Sequence, residues 1–338
     1  MRHTHTTIPG LRTRQRAITA VITALGLGLL TPLALVTPAV AQAPKAVPTG
    51  SPAVQEALKK ANAGDVTPLV KLADGGDADA QYYAAVVFLF GRGTIAKDAL
   101  RGCGYAQKAS ARRADAMHLV GLCHQSGAGG APDKAKAEAA YTRAAEMGFA
   151  KSKCALGQML MADKSRAARG LALCKEAGTA GDAEAQMTVA DAYFNGAGGT
   201  RDLAEARTWY EKAAKQNNLN ATRKLGEMYA NGDGGPKDIK KALDLWIAAE
   251  KAGDPLAAIL VADQLFANIS GGRKPGPGTY EFRGAIPVKD IEVAEEWYRQ
   301  ARKRDSRPEV QKRADYALTV LGSFKTAATS GKVAKAKR

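Results

Sequence analysis

The chain is poor in the residues that usually perform chemistry. It has four histidines in 338 residues, and two of them, His3 and His5, fall within the first sixteen positions. There is no Gly-x-Ser-x-Gly elbow, His-Glu-x-x-His pair, phosphate-binding loop or Ser-x-x-Lys nucleophile, so the common hydrolase, metalloprotease and nucleotide-binding signatures are missing. His118, Cys123 and His124 are close in sequence, but their offsets share no single helical face and match no familiar zinc spacing. No catalytic residue, metal or cofactor is expected. Trp209, Trp246 and Trp297 lie in or beside an apolar helical stripe and read as core. After residue 43 no apolar run approaches ~20 residues, so no later membrane span is expected.

One such run does occur earlier. Residues 1–16 carry Arg2, Arg12, Arg14 and Arg16 and no acidic residue. An apolar stretch follows from about Ala17 to Val36, and small residues follow it through Ala41 and Ala43. This is the pattern of a secretory signal peptide over residues 1–43. Loss of its four arginines would lower the formal charge from +16 by 4, to +12. A basic surplus suits acidic partners, which for an exported protein means anionic polysaccharide or lipid and not nucleic acid. The expected location is the periplasm, with secretion to the medium as the other outcome.

What the chain has in plenty is repetition. Small residues recur at Ala80, Ala116, Ser152, Ala185, Ala221 and Ala257, and Gly or Ala returns five residues after each. Positions four or five apart share nearly one helical face, so these form a stripe where a second helix can come close. A second helix is expected after each of Asp98, Asp133, Asp163, Asp202, Asp238 and Asp290, with the aspartate as N-cap. Its apolar positions fall 4, 8 and 11 residues on, as in Ala206, Tyr210 and Ala213. Glycines such as Gly196 and Gly198 permit the reversal between the two helices. The fold class that follows is all-α: a solenoid of six stacked helical hairpins with N- and C-terminal capping helices. The leader and N-terminal cap span 44–75, the repeats 76–304, and a capping helix with a basic disordered tail 305–338.

The run from Arg201-Asp202 through Trp209-Tyr210 to Ala213-Ala214, and its counterpart from Lys237-Asp238 through Trp246 to Ala249, resemble the Sel1-like repeat, a relative of the tetratricopeptide repeat. The third copy departs from the pattern, because Gly157 stands only six residues before Asp163 and no glycine loop separates them. The sixth carries about sixteen extra residues. The resemblance implies a non-enzymatic adaptor that holds a protein or peptide in signalling, secretion or envelope assembly. It also leaves open a weak hydrolase or binder directed at peptidoglycan or β-lactams, or capture of anionic polysaccharide on the basic surface. Fold resemblance does not choose among these.

Two cysteine pairs, each 20 residues apart, fit an exported chain. Cys103 and Cys123 fall on antiparallel neighbouring helices, as do Cys154 and Cys174, so these pairings are expected. Partner contacts are expected along the inner groove, where variable positions of the first helix put Tyr82, His118, Gln158, Asp191, Arg223, Glu227 and Asp263. A second candidate is the insertion at 271–283, with Arg273, Tyr280 and Phe282; the longer segment 271–287 reads equally as functional or disordered.

Overall fold

The computed structural model describes residues 50–275, 279–281, 287–330 and 335–337. The signal-peptide reading at 1–43, and Phe282 of the insertion, lie outside them. Six antiparallel helical pairs follow one another. They are α3 (Ala78–Phe90) with α4 (Ala99–Ala109), α5 (Ala114–Ser126) with α6 (Lys134–Glu146), α7 (Ala150–Met161) with α8 (Ala167–Thr179), α9 (Ala183–Asn195) with α10 (Leu203–Lys215), α11 (Leu219–Asn231) with α12 (Ile239–Lys251), and α13 (Ala257–Ile269) with α14 (Val288–Arg304). Before them lie α1 (Pro52–Asn62) and α2 (Thr67–Asp74), and after them α15 (Pro308–Ser330).

Each pair is built from the anticipated small residues. All six anchors are buried, from Ala80 to Ala257, and so are their partners at +5, Gly121, Gly157 and Gly226 included. The second helices bury Tyr141, Tyr210 and Tyr298 completely. Two glycines show why the stripe must be small. A Cβ on Gly121 would stand 2.5 Å from the Tyr141 ring, and one on Gly226 would stand 2.4 Å from the Trp246 indole nitrogen. Trp209 and Trp246 are core residues, 4% exposed; Trp297 is partly buried.

The corners are equally regular. Gly196 and Gly232 end α9 and α11 in the left-handed conformation that other residues avoid. After each corner the next aspartate turns its own backbone N–H onto a carbonyl of the first helix, Asp202 onto Tyr193 at 3.0 Å and Asp238 onto Tyr229 at 2.8 Å. The side chains of Asp98, Asp133, Asp202 and Asp238 then cap the helices that follow. The odd-numbered helices have caps that sequence reasoning missed: Asp77, Asp182 and Asn218 accept from the N–H groups of Ala80, Ala185 and Ala221.

Two cap assignments need correction. Asp163 does not cap α8, which starts only at Ala167; its carboxylate closes a short turn onto Ser165 and pairs with Arg166. Asp290 lies inside the first turn of α14, behind Pro287. Ahead of α2 the Asp65 carboxylate accepts from the Thr67 N–H.

Odd-numbered helices touch one another directly, as α3 with α5 and α7 with α9, and no two even-numbered helices approach as closely among the described residues. The odd helices therefore form the inner layer and the even helices the outer one. At the far end α15 runs to Ser330, well into the expected tail, because Phe324 and Ala327 are buried against the last repeat and Lys325 pairs with Glu292. The tail is not disordered throughout. Its residues Lys335–Lys337 (β2) pair antiparallel with Thr279–Glu281 (β1) of the insertion, an exchange of backbone hydrogen bonds that no local pattern announced.

Candidate partner-binding face

The inner layer presents a cleft of about 170 Å³ where α5, α7 and α9 come together. Two of the anticipated residues meet there. His118 and Gln158 line it together with Lys151, Glu184 and Thr188. Gln158 is exposed and donates to Thr188 Oγ1 at 2.9 Å, across the boundary between repeats. His118 lies against the rings of Tyr141 and Phe149, each 5.2 Å away, and its Nδ1 is 3.0 Å from Ser152 Oγ. Burial, helped by the neighbouring Lys151 charge, lowers its pKa to about 4, so the imidazole is neutral at ordinary pH.

This Ser–His contact has the residue types of a nucleophile and its base, but the serine is fully buried. A substrate carbonyl has no route to Ser152 Oγ. The contact is a bond between repeats. Cys123, next to His124 in sequence, is bonded to Cys103. Among the described residues no three His, Cys, Asp or Glu side chains are grouped to hold a metal ion.

Elsewhere on the inner face the anticipated residues are engaged by their neighbours. Tyr82 is half-buried under the Arg113 guanidinium, 4.5 Å from its ring centre, and Arg113 is itself held by Asp79 and Asp115. Asp191 accepts from Tyr210 Oη. Arg223 reaches Asp254 of the next turn at 3.1 Å and Glu227 at 3.6 Å. Asp263 is buried, accepting from Tyr298 Oη at 2.9 Å. Arg313 of α15 approaches its other oxygen to 2.6 Å as an ion pair too poorly aligned for a hydrogen bond. Burial raises the Asp263 pKa to about 6, against the opposing pull of Arg313.

In the insertion, Arg273 is exposed and its carbonyl accepts from Ser270 Oγ, and Tyr280 sits in β1 opposite Ala336. The two disulfides join Cys103 to Cys123 and Cys154 to Cys174, as the antiparallel placement required. No described helix is long and apolar enough to cross a membrane.

Comparison with known proteins accords with this geometry. The family model described as Sel1 repeat matches residues 78–112, 114–149, 183–218, 219–254 and 278–306, half of the chain. The chain belongs to the Sel1 repeat family. The third Sel1 hairpin, α7–α8, is the one skipped, in keeping with its missing glycine loop, and α13 of the sixth hairpin falls outside the fifth match, 278–306. Sel1 repeats generally mediate protein–protein interaction and are typically non-catalytic scaffolds.

Among solved structures, c5321, a protective antigen of uropathogenic Escherichia coli, is 24% identical over 71% of this chain, with a TM-score of 0.49; the match spans 56% of that protein's length. A Sel1 repeat protein from Oxalobacter formigenes is 25% identical over 61% of this chain and 82% of its own, with a TM-score of 0.47. The immunity protein Pa5087 from Pseudomonas aeruginosa is 19% identical over 68% of this chain and 83% of its own, with a TM-score of 0.41. No curated protein matches the sequence.

Proposed function

We propose that this Sel1 repeat protein is a periplasmic adaptor that holds a segment of a protein partner along its inner face. The observation that carries the proposal is the cleft between α5, α7 and α9, where His118, Gln158 and Thr188 bring neutral polar groups beside an exposed pair of opposite charges, Lys151 and Glu184, 3.7 Å apart. A polyanion would favour a groove of one sign, whereas mixed polar and charged groups suit a polypeptide. Two disulfides support an oxidising compartment, and residues 1–43 supply the export pattern. The insertion, with Arg273 and Tyr280, is a second place for the same partner to touch.

The test is a photoreactive amino acid placed in living cells at Gln158 on the inner face and, separately, at exposed Ala139 on the outer face. One protein crosslinked at 158 and not at 139 supports the adaptor. Adducts at 139 alone, or at neither, would overturn it. Cell fractionation with N-terminal sequencing checks the location independently; a mature chain starting near residue 44 in the periplasmic fraction is the expected result.

A further inference from the structure

The outer face holds a groove that the inner-face reading does not use. Counting seven residues on from Asp98, Asp133, Asp163, Asp202, Asp238 and Asp290 gives Tyr105, Ala140, Gly170, Trp209, Leu245 and Trp297. Where this residue is tryptophan it fills the gap to the preceding outer helix. Trp209 presses on α8 so closely that a Cβ on Gly178 would lie 3.0 Å from its ring, and Trp297 packs against the cores on both sides of it. The repeat between these two breaks the rule. Its indole is Trp246, at the eighth position where the neighbouring repeats bury Tyr210 and Tyr298, and it turns inward against Gly226; the seventh position is left to Leu245.

The result is an open cavity of about 500 Å³ between α10 and α12. Ala214 and Ala248 form its walls, with Leu245, and Leu219 and Leu225 of α11 form its floor. Such a volume and lining are those of a site that accepts a bulky apolar group. Its mouth is cationic. Lys215 is exposed and enters no ion pair among the described residues. Lys241 bonds to the neutral phenol of Tyr229, whose Oη donates to Glu211, the one carboxylate at the rim.

We propose that this groove is a docking slot for an aromatic side chain of a partner protein, tryptophan above all, flanked in its sequence by acidic residues. The occupant takes the place that an indole of the chain itself fills in the neighbouring repeats, and its carboxylates meet Lys215 and Lys241. A polypeptide is the source because the groove is a strip along two helices, open at its mouth, and the neighbouring slots are filled from a polypeptide side chain. The slot lies on the opposite layer from the inner cleft, so it stands or falls separately from the adaptor reading.

The probes are two tripeptides, acetyl-glutamyl-tryptophyl-glutamyl amide and its glutaminyl counterpart, observed by saturation-transfer NMR with the whole protein. The acidic peptide should receive saturation, with the neutral one bound about fivefold more weakly. Lys215→Glu should weaken the acidic peptide by about fivefold or more and leave the neutral one unchanged. Leu245→Trp, which restores the arrangement of the adjacent repeats, should abolish binding of both. Ala248→Arg blocks the same slot from an exposed helical position where substitution leaves the fold intact. Failure of the acidic peptide to bind, or binding unchanged in both Leu245→Trp and Ala248→Arg, would overturn the proposal.

Discussion

The hairpins α7–α8 and α11–α12 solve one packing problem in opposite ways. In α11–α12 the Trp246 indole lies across Gly226 and donates to the Arg223 carbonyl at 3.1 Å, so an aromatic wedge separates and joins the helices. In α7–α8 there is no wedge. Gly157 and Gly170 face each other backbone to backbone; a Cβ on either would come within 2.5 Å of the other's carbonyl oxygen. Cys154 and Cys174 bond with their Cα atoms 4.1 Å apart. Helices this close need only a short corner, which explains why the third repeat dispenses with its glycine loop. Another corner lays Gly198 against Leu171 of the preceding outer helix; in the third repeat Arg166 makes that link, holding Glu138 of α6 through two contacts of 2.9 Å. A wedge and a direct backbone contact are thus interchangeable in this stack, provided that the second is locked.

The largest effect that would break this comparison is removal of the wedge. Trp246→Ala should cost about 4 kcal/mol in chemical denaturation, because it empties a buried site the size of an indole between the two helices. Gly157→Ala should cost about 3 kcal/mol, since its new methyl meets backbone that cannot step aside. Gly226→Ala should cost about half as much, because the atom it meets belongs to a side chain. Equal losses at the two glycines would show that the helices of the third repeat separate freely.

Replacing Cys154 and Cys174 together by alanine should remove about 3 kcal/mol, the loop-entropy value for a 20-residue closure. The Cys103–Cys123 pair closes a loop of the same separation and should cost about as much. A much larger loss at 154–174 would mean that the lock also sets the helix spacing.

Acidity separates the second repeat from the last. His118, with its folded pKa near 4 against an ordinary 6.5, contributes stability that is present above pH 6.5 and is lost as pH falls through about 4. Asp263, raised from 3.8 to about 6, contributes stability that is full below 3.8 and is lost as pH rises through about 6. The unfolded chain binds more protons at the first and fewer at the second, so the two slopes oppose each other. Hydrogen exchange at pH 5 and pH 7 should show α5 less protected at pH 5 and α13 more protected, each by about 1–2 kcal/mol. His118→Gln should abolish the change at α5 alone. The smallest contrast is in the caps: Asp238→Ala should cost about 1 kcal/mol, and Asp163→Ala less than about 0.5 kcal/mol, because it caps no helix.

Much of the fold was legible because each repeat restates it. The small anchors, the second-helix stripe and both cysteine pairings depend on contacts inside one hairpin or between adjoining helices, at sequence separations that helical spacing fixes. The groove was less legible. Asp191, Arg223 and Asp263 look free when a single repeat is considered, yet each is bound by a residue 19 to 35 places away or on the capping helix. His118 and Gln158 of the anticipated set share one cleft. The signal for this lies in the second-helix tyrosines, whose hydroxyls, once buried, must find acceptors.

The sequence by itself determined the period, the hairpin and its disulfides, since local helical geometry and the need for small residues at close contacts leave no other arrangement. The tertiary structure decided which polar side chains are consumed in joining one repeat to the next. It extended α15 through Phe324, drew the tail into a ribbon with the insertion, and left a groove open beside Leu245. The reason is that these depend on how far and at what angle one hairpin stacks on another, a rotation shared among many weak contacts and written in no single repeat.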